Sequence, residues 1–193
     1  MRIIRGKNRG KILIAPKNLP VRPTTDMAKE GLFNVVENYL EWEAITALDL
    51  FTGTGNISFE MASRGCNDIT VVDNNRDCLR FIDKTAGQLQ YTAIKTSMGD
   101  ALIFLRRTLR KWDFIFADPP YDYTEYPVLV SSAIDHLPED GVFVLEHGVD
   151  HSFQAHPACF DTRRYGGVHF SYFSPEAIKN ERASLEDTSD SPS

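Results

Sequence analysis

Four consecutive residues, Asp118-Pro119-Pro120-Tyr121, combine an acid, a stiffened turn and an aromatic ring. Two prolines fix the local φ and with it the direction of the Pro119 carbonyl. A carboxylate and a carbonyl side by side can accept both hydrogens of an amino group. The chemistry that needs this pair is substitution at an exocyclic amine of a nucleobase, whose lone pair is delocalised into the ring and must be aimed at an electrophile. As the new bond forms the nitrogen becomes positive, so preorganised negative charge favours the transition state over the ground state. Tyr121 offers a face on which a flipped-out base can stack. A Pro-Pro pair alone is equally a rigid loop after a strand, so the argument rests on what stands upstream.

Upstream lies Leu48-Asp49-Leu50-Phe51-Thr52-Gly53-Thr54-Gly55-Asn56, then Ile69-Thr70-Val71-Val72-Asp73. The first stretch reads as strand, Gly-rich turn and helix start; the second is a strand ending in a carboxylate. Gly53 and Gly55 permit φ > 0 and a close approach of backbone to ligand, and the following helix directs unpaired N–H groups there. Asp73 at a strand's carboxyl end is placed to grip ribose hydroxyls. A nucleoside-type cofactor is the expectation, against the plainer reading of a turn that only joins strand to helix. Ser58 occupies the third-glycine place of the dinucleotide pattern, which disfavours NAD and FAD. The segment instead resembles the first motif of S-adenosylmethionine (SAM) methyltransferases. That resemblance implies Asp49 near the methionine amino group, Asp73 on the ribose and Asp100 on the adenine amine. Asp100 also suits the N-cap of a helix over 101–110. Phe51, Asn56, Asn74, Ala101 and Asp118 flank these positions and join the expected cofactor contacts, as do Arg22, Thr24 and Thr25 of an Arg-Pro-Thr-Thr-Asp segment.

The elements that must position these residues follow from Ala44 onward, where strand and helix patterns alternate as in a parallel α/β sheet. Strands are expected over 47–51, 69–73, 93–96, 112–117 and 141–146, with helices over 57–64, 77–90, 101–110 and 126–136. Residues 163–173 read as two strands about Gly166-Gly167, an antiparallel close to the sheet. The expected organisation is a basic hairpin of two short strands over 1–20, a Rossmann-like domain over 21–174 with a mostly parallel seven-stranded sheet, and a polar acidic tail over 175–193 too poor in apolar residues to order.

The chain of 193 residues has a net charge of −6, yet up to Glu30 eight Lys and Arg face only two acids. A basic arm on an acidic body is the asymmetry of a polyanion binder. Arg2, Arg5, Lys7, Arg9 and Lys11 are the expected phosphate contacts, against a merely solvated charged turn. Three cysteines without Cys-x-x-Cys spacing suggest neither a disulfide framework nor zinc, and the five scattered histidines lack metal-ligand spacing. The N-terminal apolar run is too short for a signal peptide, and no stretch reaches membrane-spanning length. The expectation is a monomeric protein of the reducing cytoplasm, with no metal and no membrane partner.

Together the pieces resemble the RsmD family of bacterial ribosomal RNA methyltransferases over residues 1–173. The markers are Met-Arg-Ile-Ile-Arg-Gly-Lys-Asn-Arg-Gly, Arg-Pro-Thr-Thr-Asp, Leu-Asp-Leu-Phe-Thr-Gly-Thr-Gly and Asp-Pro-Pro-Tyr. The resemblance implies SAM as methyl donor, the N2 amine of a guanine in 16S ribosomal RNA as acceptor, and an assembling small subunit as partner. An adenine-N6 or other amino-methyltransferase of RNA or DNA shares Asp-Pro-Pro-Tyr; a SAM- or RNA-binding protein without catalysis is the alternative from another class. If the arm touches phosphates, replacing Arg5, Lys7, Arg9 and Lys11 together by Ala lowers RNA affinity. It also flattens the salt dependence by roughly 0.7–0.9 log units of slope for each phosphate released from its cation. Binding across a salt series checks this; parallel slopes at equal affinity would make the arm a solvated edge.

Overall fold

In the computed structural model residues 1–16, 19 and 24–177 are described. Arg22, and residues 178–193 of the expected tail, lie outside them. Seven strands form one sheet: β1 (Thr46–Leu50), β2 (Asp68–Asp73), β3 (Ile94–Met98), β4 (Phe114–Ala117), β5 (Val142–His147), β6 (Cys159–Tyr165) and β7 (Val168–Phe173). Among the described residues five α-helices connect and cover it: α1 (Asp26–Val36), α2 (Asn56–Ser63), α3 (Arg76–Leu89), α4 (Ala101–Arg107) and α5 (Tyr126–Asp135). The order is β3-β2-β1-β4-β5-β7-β6. Neighbours from β3 through β5 run parallel, whereas β7 is antiparallel to both β5 and β6. The chain order reverses between β1 and β4, and there open α/β sheets hold their ligands.

β4 is apolar throughout, Phe-Ile-Phe-Ala, because both faces of the sheet are covered there. In β4, Phe114 and Phe116 join a cluster with Phe33, Trp42, Phe59 and Ile82, while Ile115 and Ala117 join another with Leu102, Trp112, Leu129 and Phe143. Side-chain alternation along a strand produces this division. The helix entries are built locally: Asn75 Oδ1 accepts the Asp77 and Cys78 N–H groups at α3, and Asp100 Oδ1 accepts that of Ile103 at α4. The latter helix stops at Arg107, three residues before the expected end, where Thr108 takes an extended conformation.

The basic arm departs from the two expected strands. It doubles back through a single antiparallel bridge, Arg2 to Ile12, flanked by Ile3 N–H to Lys11 O (2.9 Å) and Leu13 N–H to Met1 O (2.8 Å). The ladder ends because the next amides are used elsewhere. Ile4 and Arg5 donate their N–H groups to the Glu60 carboxylate at 2.7 and 2.9 Å, and Lys7 N–H reaches Ser63 O at 2.7 Å. Gly6 (φ +81°) permits this approach, since a Cβ would stand 1.7 Å from Ser63 O. Ile3 and Leu13 are buried in the same cluster as α1 and α2.

Glu60 has no exposed side-chain surface, and it also meets Lys29 Nζ at 3.5 Å and Arg64 at 2.9 Å. Lys29 is itself buried and donates to Arg2 O (2.6 Å) and Asn56 Oδ1 (2.9 Å). Its pKa is lowered because desolvation outweighs the attraction of Glu60 and Asp26. Removing one member of a buried ion cluster strands the other, at about 3–5 kcal/mol. Lys29→Met is therefore expected to lower stability by about that amount in urea unfolding, and adding Glu60→Gln to cost less than the two single changes summed. A loss below about 0.5 kcal/mol for Lys29→Met, the size of an ordinary surface change, would deny the cluster an organising role.

Candidate active site

A cavity of about 530 Å³ opens at the carboxyl ends of β1, β2, β4 and β5, within the size range of small-molecule sites. Its walls carry Thr24, Asp49, Phe51, Gly53, Asn56, Asp73, Asn74, Asp100, Ala101, Asp118, Pro119, Pro120 and Tyr121. The Gly-rich turn and Asp-Pro-Pro-Tyr, far apart in sequence, thus face one space.

Asp73 anchors the turn: its Oδ2 accepts the Gly53 N–H at 2.8 Å and its Oδ1 that of Asn75 at 2.7 Å. An ionised carboxylate has about four acceptor positions, so capacity remains for the vicinal hydroxyls of a ribose. Asp49 is buried, with Oδ2 accepting from Thr52 Oγ1 at 2.7 Å and from Ser58 Oγ. Burial pushes its pKa up to about 6, while the two hydroxyls pull the other way. A cation in the cavity would find this carboxylate already desolvated. Phe51 stands at φ +57°, a conformation costly for a bulky residue and typical of functional turns; its ring meets Tyr123 edge-on at 5.3 Å. These features fit the ribose hydroxyls and the ammonium group of SAM.

The rest of the lining adds further acids. Asp118 follows β4 and is tied to β1 by its N–H to Leu50 O at 3.3 Å. Its pKa is raised well above the carboxylate range, first by burial and then by the negative charges of Glu146 and Asp49. Pro119 is buried and Tyr121 exposed. Glu146 lies near the end of β5, on the cavity wall, with only 7 % of its surface exposed. Its Oε2 accepts from Thr24 Oγ1 at 2.9 Å, and burial raises its pKa to about 7.

Some expected contacts are placed elsewhere. Thr25 is off the cavity wall because its Oγ1 caps α1, accepting the Ala28 N–H at 3.2 Å. Gly55 (φ +74°) also stands back: a Cβ there would lie 3.0 Å from Ile82 Cγ1, so it serves the turn and the α2–α3 packing. Asn56 lines the cavity, but its amide is committed, receiving Lys29 on Oδ1 and donating from Nδ2 to Thr24 O at 3.0 Å. The arm residues Arg2, Arg5, Lys7, Arg9 and Lys11 lie outside the cavity. Arg2 pairs with Asp26 and Arg5 with Glu37. Among the described residues no group of three or more His, Cys, Asp or Glu could hold a metal ion, and no helix is long and apolar enough to cross a membrane.

Sequence reasoning misses Glu146 and Tyr123. Glu146 carries a usable signal, since it follows an apolar strand as Asp73 does. Tyr123, whose buried hydroxyl has no partner among the described residues, has only its nearness to Tyr121.

A family model described as conserved hypothetical protein 95 matches residues 1–174. The chain belongs to that family, the RsmD-type methyltransferases. YlbH of Bacillus subtilis is 31 % identical over 153 residues, covering 76 % of this chain and 82 % of that one. Ribosomal RNA small subunit methyltransferase D of Escherichia coli K12 is 26 % identical over 182 residues, covering 92 % and 91 %. Among solved structures, the hypothetical protein TTHA0928 of Thermus thermophilus superposes with a TM-score of 0.78 at 22 % identity, over 90 % of this chain and 99 % of that one. The fold is that of the class I methyltransferases.

The raised acids have a consequence for stability. Asp49 and Glu146 hold protons in the folded state between their ordinary carboxylate values and about 6 and 7. The unfolded chain has released them there, so these groups cost stability as pH rises through that window. His147 and His156, whose pKa values burial lowers, act in the opposite sense. A difference measurement separates the two. Glu146→Gln is expected to gain stability over the native protein as pH rises from 5 to 8, by on the order of 1–3 kcal/mol at the upper end. Denaturant titrations across that range check it; a constant difference would show that Glu146 is not raised.

Proposed function

We propose that this protein transfers a methyl group from SAM to the exocyclic N2 amine of a guanine in small-subunit ribosomal RNA. The observation that carries this reading is the shared cavity: the Asp73–Gly53 turn on one wall and Asp118-Pro119-Pro120-Tyr121 on the other. The family membership and the rRNA methyltransferase named among its relatives support the substrate class. The basic arm supports an RNA partner, with phosphate contacts supplying affinity and register.

When bound, SAM supplies an electrophilic methyl group on a positive sulfonium. In this reading Asp73 holds the ribose, Asp100 and Ala101 border the adenine, and Asp49 faces the ammonium. The Asp118 carboxylate and the Pro119 carbonyl accept the two amine hydrogens and so direct the nitrogen lone pair along the cavity toward the cofactor wall. Tyr121, on the rim, stacks on the extruded base. Asp118 is poised for proton removal because its burial favours taking a proton once the nitrogen carries positive charge.

The two walls are tested against each other. Asp118→Ala is expected to abolish turnover and leave SAM affinity nearly intact, with Asp118→Asn retaining part of the activity. Asp73→Ala weakens SAM binding by roughly 1–3 kcal/mol, the range for a hydrogen bond with a charged partner. Calorimetry with SAM and methyl transfer to small-subunit RNA give both readouts, and native turnover in Asp118→Ala would remove the assignment.

A further inference from the structure

Glu146 is costly to keep. A carboxylate this deeply buried is normally surrounded by donors, and among the described residues Glu60 and Asp49 have at least two each. Glu60 meets two backbone amides, Lys29 and Arg64. Asp49 meets two hydroxyls. Among the described residues Glu146 has one side-chain donor, the Thr24 hydroxyl on Oε2. Its carboxylate still lines the cavity, with acceptor capacity left over.

Its place relative to Asp118 is fixed by the sheet. Ala117 and Leu145 are register partners on the adjacent parallel strands β4 and β5. Asp118, just past β4, and Glu146, next on β5, therefore leave neighbouring strands on the same side of the sheet, and the Glu146 charge is felt at Asp118. Once ionised, two neighbouring carboxylates form an edge that only accepts hydrogen bonds. An amine held by Asp118 and Pro119 would turn one of the two ring atoms flanking its carbon toward Glu146.

We propose that Glu146 selects guanine by accepting its N1–H while Asp118 and Pro119 hold the N2 amine. This rests on the guanine reading above. Guanine is the base that presents a ring N–H donor directly beside an exocyclic amine. Adenine and cytosine place a lone pair there, which would meet the carboxylate lone pairs and leave both unpaired. Sites that bond a specific N–H reject analogues lacking it far more strongly than apolar pockets reject a missing methylene. The raised pKa of Glu146 agrees with this arrangement, since the second negative charge beside Asp118 is tolerated best when donors arrive. The Thr24 hydroxyl, held in turn by Asn56 through the Thr24 carbonyl, fixes the carboxylate's orientation.

The test compares two acceptors at the mapped position of small-subunit RNA assembled with its proteins: guanine, and 2-aminopurine, which keeps the 2-amine but has a lone pair at N1. The native enzyme is expected to favour guanine in kcat/KM by at least about 100-fold. Glu146→Gln, whose amide can donate to that lone pair, is expected to narrow the ratio at least tenfold with SAM affinity unchanged. A purely structural role would lower both substrates together and keep the ratio. Equal use of the two bases by the native enzyme, or an unchanged ratio in Glu146→Gln while guanine N2 is methylated, overturns this inference alone. Absence of N2-methylguanine in native reactions overturns the functional reading with it.

Discussion

A carboxylate with no access to water must be answered by donors on every side, and Glu60 is answered by the rest of the N-terminal half. Two arm amides, the Lys29 ammonium of α1 and the Arg64 guanidinium just past its own helix converge on it. From there the bonding continues: Lys29 to Asn56 Oδ1, Asn56 Nδ2 to Thr24 O, and Thr24 Oγ1 to Glu146. One connected path runs from the arm to the acidic wall of the cavity. The glycine turn lies beside it because Asn56 opens α2. Such a network rigidifies what it joins.

The cavity itself is built against its own charge. Asp49, Asp118 and Glu146 are crowded and desolvated, and their raised pKa values record the strain of keeping them ionised. Catalytic sites concentrate such shifts because the same fields that disfavour the empty site favour a cation or a developing positive charge. In the proposed reaction the sulfonium, the ammonium and the amine nitrogen all carry, or acquire, positive charge. Five acids, Asp49, Asp73, Asp100, Asp118 and Glu146, line the cavity proposed for the cofactor, while the arm carries the opposite sign.

Much of this architecture is legible in the chain before any fold is seen, for identifiable reasons. Asp-Pro-Pro-Tyr and the Gly53 turn are local signals whose spacing along alternating strands and helices already implies a common edge. The β4 residues Phe114 to Ala117 are apolar throughout because both faces are covered, and that reads directly as a central strand. Glu146 escapes notice because its partner, Thr24, lies 122 residues away. Lys29 and Glu60 look like ordinary helix-surface charges, and their burial depends on the arm crossing both helices. Gly55 and Thr25 read as ligand contacts because a sequence does not distinguish a residue that shapes a turn or cap from one that touches what the turn holds. The arm reads as two strands from its alternation, yet Glu60 diverts the amides that a second pair of rungs would need.

That diversion leaves the arm attached through its main chain. Ile4, Arg5 and Lys7 are held by their N–H groups, and Asn8 N–H is held by Ser63 Oγ at 3.0 Å. Any residue but proline supplies that hydrogen, and Gly6 is the position where geometry forbids a side chain. This part of the anchor is therefore blind to what the loop displays, while the buried Ile3 and Leu13 and the Asn8 amide, which donates to Tyr91 Oη at 2.6 Å, hold the arm by side chain. Lys7, Arg9 and Lys11 form no ion pair among the described residues, so over evolutionary drift the tip's surface chemistry can be rewritten one residue at a time. Surface chemistry and anchorage are thus largely separable at this tip, which can change its charge without refolding the protein behind it.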